Sequence, residues 1–148
     1  GMDQRESRVR CAHELGLGAF IADEHADERI RDLTLGGPEV VIEASGRHDA
    51  IDRAGSIARI GGRVVMVANY HAPTEIQPGH WLNRGISLLP SIAYTPEHFD
   101  VALKMVGAGS IDVAKGVTSV HRLEEVNQAF ASFGTQSDQI KLLIDPSS

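Results

Sequence analysis

The stretch from Glu39 to Tyr70, EVVIEASGRHDAIDRAGSIARIGGRVVMVANY, constrains this chain most. Residues 40–44 are apolar apart from Glu43, which suits a strand covered on both faces. Ala50, Ile51, Ala54, Ile57 and Ala58 then recur at helical spacing, and Gly61-Gly62 ends that helix. Residues 64–68 form a second apolar, valine-rich run suited to a parallel sheet. Strand, glycine turn, helix and strand in 32 residues make a β-α-β unit, which closes right-handed.

The same alternation extends in both directions. Residues 4–15 place Val9, Ala12 and Leu15 on one helical face, with Gly16 as a stop. Residues 19–22 suit a short strand, and Asp27 can cap a helix running to Leu35 before Gly36-Gly37-Pro38. After a loop over residues 72–79, residues 86–92 give a third strand of the same sheet. Pro90 lacks a ladder donor, so that strand lies at an edge or ends there. Thr95-Pro96-Glu97 starts a helix carrying Phe99, Ala102, Leu103 and Val106, which stops near Gly107 to Gly109. A strand (VTSVH), a helix over residues 123–133 closed by Gly134, and a strand over residues 140–144 complete the chain. Alternating strand and helix predicts an α/β fold with a parallel sheet.

Composition excludes several classes. At 148 residues the chain can bury a real core. The net charge of −6 argues against a nucleic-acid or anionic-membrane partner, and no apolar run approaches the roughly 20 residues a bilayer needs. The opening GMDQRESRVR lacks an apolar signal core, and Gly1 before Met2 reads as a tag scar. Cys11 is the single cysteine, so an internal disulfide and a multi-cysteine zinc site are excluded. The default setting is therefore cytoplasmic. Among seven histidines, His71 and His80 flank one loop and make the best pair, yet no thiolate or carboxylate stands at ligand spacing. They read as surface residues, and Cys11 as a structural mid-helix thiol.

Five patches occur in a fixed order: R-x-x-x-A-x-E-L-G (residues 8–16), VVIEASG (40–46), IGGRVVMVA (60–68), YTPEHF (94–99) and HRLEEVNQAF (121–130). Together they resemble the C-terminal part of the zinc-containing medium-chain alcohol dehydrogenases, nearest the sorbitol, butanediol and threonine dehydrogenase branch. The resemblance implies an incomplete Rossmann-like parallel sheet, with equivalents of strands 3 to 6 and a C-terminal strand-helix-strand extension. It divides the chain into a partial NAD-binding domain at 1–112 and a segment at 113–148 that in the family returns to the catalytic domain. The G-x-G-x-x-G turn, the first two strands and the N-terminal catalytic domain have no counterpart in these residues.

The resemblance also assigns roles. Asp3 falls where the family keeps the acid that bonds the ribose hydroxyls and favours NAD, although by itself it reads as a frayed terminal residue. Ala44, Ser45, Gly46 and Arg47 lie at the end of the family's strand 4, beside the cofactor crevice; read locally, Ser-Gly is simply a good strand-to-helix turn. Val67, Ala68 and Asn69 end strand 5, where backbone groups meet the nicotinamide carboxamide, while the valines serve the core. Ser91 follows strand 6 on the same face, and Lys141 stands where the family carries a base near the pyrophosphate, though a lone terminal lysine usually points to solvent. The implied reaction is hydride transfer between a secondary alcohol and NAD, with zinc polarising the oxygen. The zinc ligands belong to the absent domain, so no catalytic or metal residue is assigned here, and the chain alone is expected to be inert. The alternative is a stand-alone, non-catalytic dimerisation or ligand-binding module. Two structural expectations follow. Residues 40–44 become an open edge, to which residues 19–22 or another chain should add, and the segment Leu88 to Tyr94 should pair with its twin in a homodimer.

Overall fold

The computed structural model describes residues 1–132 and 138–147. Every strand pair in it is parallel, as the alternating pattern predicts. The chain forms two compact units, one of residues 27–94 and one of residues 1–26 with 95–148.

In the first-named unit, α2 (Ala26–Leu33) leads to the β-α-β stretch: β3 (Val40–Glu43), α3 (Ala50–Ile57) and β4 (Arg63–Met66). A helix that the sequence pattern leaves unassigned beyond the 72–79 loop, α4 (Pro78–Arg84), follows, and β5 (Ser87–Pro90) completes a sheet of order β3-β4-β5. Pro78 at its first position preorganises α4, and Gly85 in the left-handed region (φ 62°) closes it. Its apolar signal is one residue, Trp81, which explains why periodicity did not reveal it. β5 is an edge strand and ends at Pro90, so both expectations for that residue hold.

Ile51, Ala54, Val64 and Trp81 form the core of this unit, with Val41, Met66, Tyr70 and Ile86 packed around them. Asp52 fixes α4 beside α3, because its Oδ1 accepts from the Gln77 amide and the Trp81 indole at 2.9 Å each. On α2, Asp27 pairs with Arg53 of α3 at 2.7 Å. The helix stops at Leu33, short of Leu35, which is exposed with φ 54°.

One expectation about this sheet fails. β3 is not covered on both faces: Val40 and Ile42 are exposed, at 41% and 66%, and the buried residue of the strand is Glu43. Successive residues of a strand point to opposite faces, and α3 packs against the face that carries Val41 and Glu43.

The other unit opens with β1 (Met2–Asp3), α1 (Glu6–Glu14) and β2 (Phe20–Ile21). β1 and β2 pair in parallel, Asp3 opposite Ile21. Three corrections follow. Residues 19–22 do not add to β3, because the Gly1 and Asp3 carbonyls take the Phe20 and Ala22 amides at 3.1 and 2.9 Å. Asp3 is not frayed, since its carboxylate accepts from the Arg5 amide at 2.9 Å and from Arg8 at 3.3 Å. The position that the resemblance gives to the end of strand 2 is therefore a short strand. On α1, Ser7, Val9 and Cys11 are buried, whereas Leu15 is exposed.

The same unit continues with α5 (Pro96–Gly107), a 3-10 turn (Val113–Gly116), β6 (Val117–Arg122), a second 3-10 turn (Leu123–Glu125), α6 (Val126–Ser132) and β7 (Lys141–Asp145). Thr95 caps α5 as predicted: its Oγ1 accepts from the His98 amide at 3.4 Å, while His98 Nδ1 accepts from the Thr95 amide at 3.2 Å. The expected closure of the last helix at Gly134 lies outside the described residues. Cys11 is buried, and its Sγ reaches the Lys115 carbonyl at 3.6 Å.

Candidate functional site

Because β3, β4 and β5 are parallel, their carboxyl ends share one edge. The chain leaves that edge through residues 44–47, residues 67–70 and Ser91. Open α/β sheets bind ligands at such an edge. The expected residues Ser45, Gly46, Ala68 and Asn69 are brought together there. Gly46 has φ 67°, and a Cβ on it would stand 2.9 Å from the Asn69 carbonyl and 3.5 Å from Ala68 Cβ. Only glycine allows both that backbone angle and that approach. The Val67 and Ala68 amides donate to the Glu43 carbonyl at 3.0 and 3.3 Å, so β4 carries the pairing on past its end. Ser91 is held at the same edge by its amide, which donates to the Met66 carbonyl at 2.9 Å. Val67 is 45% exposed and not a core residue.

Glu43 organises this edge. A buried carboxylate is costly unless donors surround it, and here they do. Its Oε1 accepts from the Ser45 amide at 2.7 Å, the Ser45 hydroxyl at 2.5 Å and the Gly46 amide at 3.2 Å. Its Oε2 accepts from the Tyr70 hydroxyl. Burial pushes the Glu43 carboxyl up, but the bonds from Ser45, Tyr70 and Gly46 outweigh it and hold the group below its usual 4.5. Burial, then the bond to Glu43 and the charges of Glu43 and Asp49, push the Tyr70 phenol well above its usual 10. Sequence reasoning did not assign Glu43 or Tyr70 to the site. The available signal was a lone carboxylate inside an apolar strand.

The side chains of Arg47, Asp3 and Lys141 are not among the donors to Glu43. Arg47 is exposed and chelated by Asp49, with Nε to Oδ1 at 3.0 Å and Nη2 to Oδ2 at 3.1 Å. Asp3 ends β1, and exposed Lys141 opens β7, both in the other unit. His71 and His80 are exposed. Among the described residues, no three His, Cys, Asp or Glu side chains are placed to hold a metal ion. These residues do not fit a zinc centre. No helix among them is long and apolar enough to cross a membrane.

A parallel sheet with its connecting loops gathered at the carboxyl edge defines the open α/β class. A family model described as zinc-binding dehydrogenase matches residues 1–108. The chain belongs to that family. It is 31% identical over 145 residues to 2-dehydro-3-deoxy-L-galactonate 5-dehydrogenase of Pseudoalteromonas atlantica, covering 97% of this chain and 42% of that protein. Among solved structures it is similar to 2R,3R-butanediol dehydrogenase from Bacillus subtilis, with a TM-score of 0.87 at 23% identity, over 99% of this chain and 43% of that one. A chain from Sinorhizobium meliloti assigned as a zinc-binding dehydrogenase and solved with NADP gives 0.81 at 25% identity, over 98% and 44%. This chain thus spans about two-fifths of the length of these relatives. The α/β class and the parallel Rossmann-like sheet read from the sequence both hold.

Proposed function

We propose that these residues form the nicotinamide side of the coenzyme cleft of an NAD-dependent, zinc-containing alcohol or polyol dehydrogenase. The observation that carries this reading is the shared edge where Gly46 meets Asn69 so closely that a Cβ is excluded. That approach sets the spacing of the two loops that border the crevice. In this reading Ala44, Ser45, Gly46, Arg47, Val67, Ala68, Asn69 and Ser91 border the coenzyme crevice, Asp3 takes the family's ribose-binding position, and Lys141 takes its position near the pyrophosphate. The bound coenzyme accepts or returns a hydride; the residues here orient it and keep one face of it out of water. No step through zinc is assigned to them, because they offer no ligand set. The 148 residues alone are expected to be inactive, with residues 1–112 serving the coenzyme and 113–148 serving the catalytic half.

Isothermal titration with NAD and with NADP tests this. The reading expects weak NAD binding that Asp3→Ala weakens further and that NADP does not match. Equal heats for both nucleotides, unaltered by Asp3→Ala, would overturn the assignment of Asp3. Absence of any NAD heat would overturn the cleft.

A second reading, a non-catalytic dimerisation module, is favoured by one feature. All four residues of edge strand β5 are exposed, Leu88 and Leu89 at 40% and 44% among them.

A further inference from the structure

We propose that Tyr70 and Glu43 form a latch that fixes the spacing of the two loops bordering the cleft, making both positioning residues for the coenzyme. This rests on the NAD reading above and concerns how that same site is held open. The Tyr70 ring packs against the Ile51, Ala54, Val64 and Trp81 core, so the loop after β4 is anchored at its far end. Its hydroxyl donates to Glu43 Oε2. Glu43 Oε1 in turn gathers the Ser45 amide and hydroxyl and the Gly46 amide. One carboxylate therefore joins the turn after β3 to the loop after β4, on either side of the Gly46–Asn69 approach.

The same bonds determine what the turn can bind. The amides of Ser45 and Gly46 point at Glu43, and the Arg47 amide donates to Ser45 Oγ at 3.3 Å. Three successive N–H groups of this kind would otherwise form an anion-binding nest. Filled by an internal carboxylate, the turn has no free Ser45 or Gly46 amide to offer a phosphate. A neutral group needs no such anion nest. The latch thus assigns this edge to the nicotinamide end and excludes the pyrophosphate from it. The charged groups facing Tyr70 are Glu43 and, more distantly, Asp49.

Tyr70→Phe keeps the ring in the core and removes only the donor. Its NAD affinity should fall about tenfold by titration, the scale of one lost hydrogen bond to a charged group. Hydrogen exchange at the Ser45 and Gly46 amides should accelerate in the same variant. If wild type binds NAD and Tyr70→Phe binds it within about twofold, the latch is overturned while the cleft stands. If wild type shows no NAD binding, the cleft reading fails, and ultraviolet titration of the two phenols decides the latch separately. Tyr70 ionising well above its ordinary 10, and dropping toward it in Glu43→Gln, supports the latch. Ionisation of Tyr70 at its ordinary 10 in wild type overturns it.

Discussion

At the scale of single residues, Glu43 shows how one charge inside an apolar strand acquires a purpose. Its position in VVIEASG is legible in the sequence, and so is the oddity of a carboxylate there. Its donor Tyr70 is not, because that residue lies 27 residues away in the chain. The folded carboxyl titrates below its ordinary 4.5, so the unfolded chain takes up this proton first as pH falls. Glu43 therefore contributes stability that is fully present above about pH 4.5 and is lost as pH falls through the folded-state pKa. Urea midpoints measured from pH 6 down to about pH 3 should decline less steeply in Glu43→Gln than in wild type. Parallel profiles would show that the carboxylate carries no linkage.

Among elements, α3 and α4 illustrate a glycine whose role is steric. Gly55 sits in α3 with ordinary helical geometry, where alanine would favour the helix by about 1 kcal/mol. Yet a Cβ there would lie 2.4 Å from Trp81 Cε2 and 2.6 Å from Cζ2. Indole and helix are both fixed, the first by its bond to Asp52. Overpacking of about 1–3 kcal/mol should therefore outweigh the propensity gain. Gly55→Ala is expected to melt below wild type, and the fluorescence of Trp81, the one tryptophan, should shift with it. A more stable variant would mean that α4 can move aside freely. The sequence disclosed α3 through its repeat of apolar residues. It hid α4, whose single buried residue leaves no period to detect.

For the whole molecule, the open features of the β3-β4-β5 sheet matter most. β3 pairs with β4 on one side and with no strand on the other among the described residues. It also turns Val40 and Ile42 to solvent. An apolar edge of this kind templates association. Ile42→Lys removes apolar surface that is already 66% exposed, so it should change stability by less than about 0.5 kcal/mol. It should also delay the onset of light scattering on heating. An unchanged onset would place the sticky surface elsewhere. At the opposite edge, we propose that β5 and the residues up to Tyr94 pair with a second copy across a two-fold axis. Light scattering at micromolar concentration should then report a dimer that Leu88→Glu with Leu89→Glu converts to monomer; a wild-type monomer would count against the pairing.

Local chemistry in the sequence was enough to determine the parallel α/β class, the helix caps at Thr95, the edge position of the Pro90 strand and the glycine turn after β3. Each rests on backbone preference or on a period of a few residues. Tertiary structure alone decided that residues 19–22 pair with Met2–Asp3 and not with β3, and that Glu43, not Val40 or Ile42, is the buried residue of its strand. It also decided that the Tyr70 hydroxyl donates to Glu43. Those outcomes depend on which segments supply carbonyls, donors and a packing face to one another across tens of residues, which no local pattern encodes.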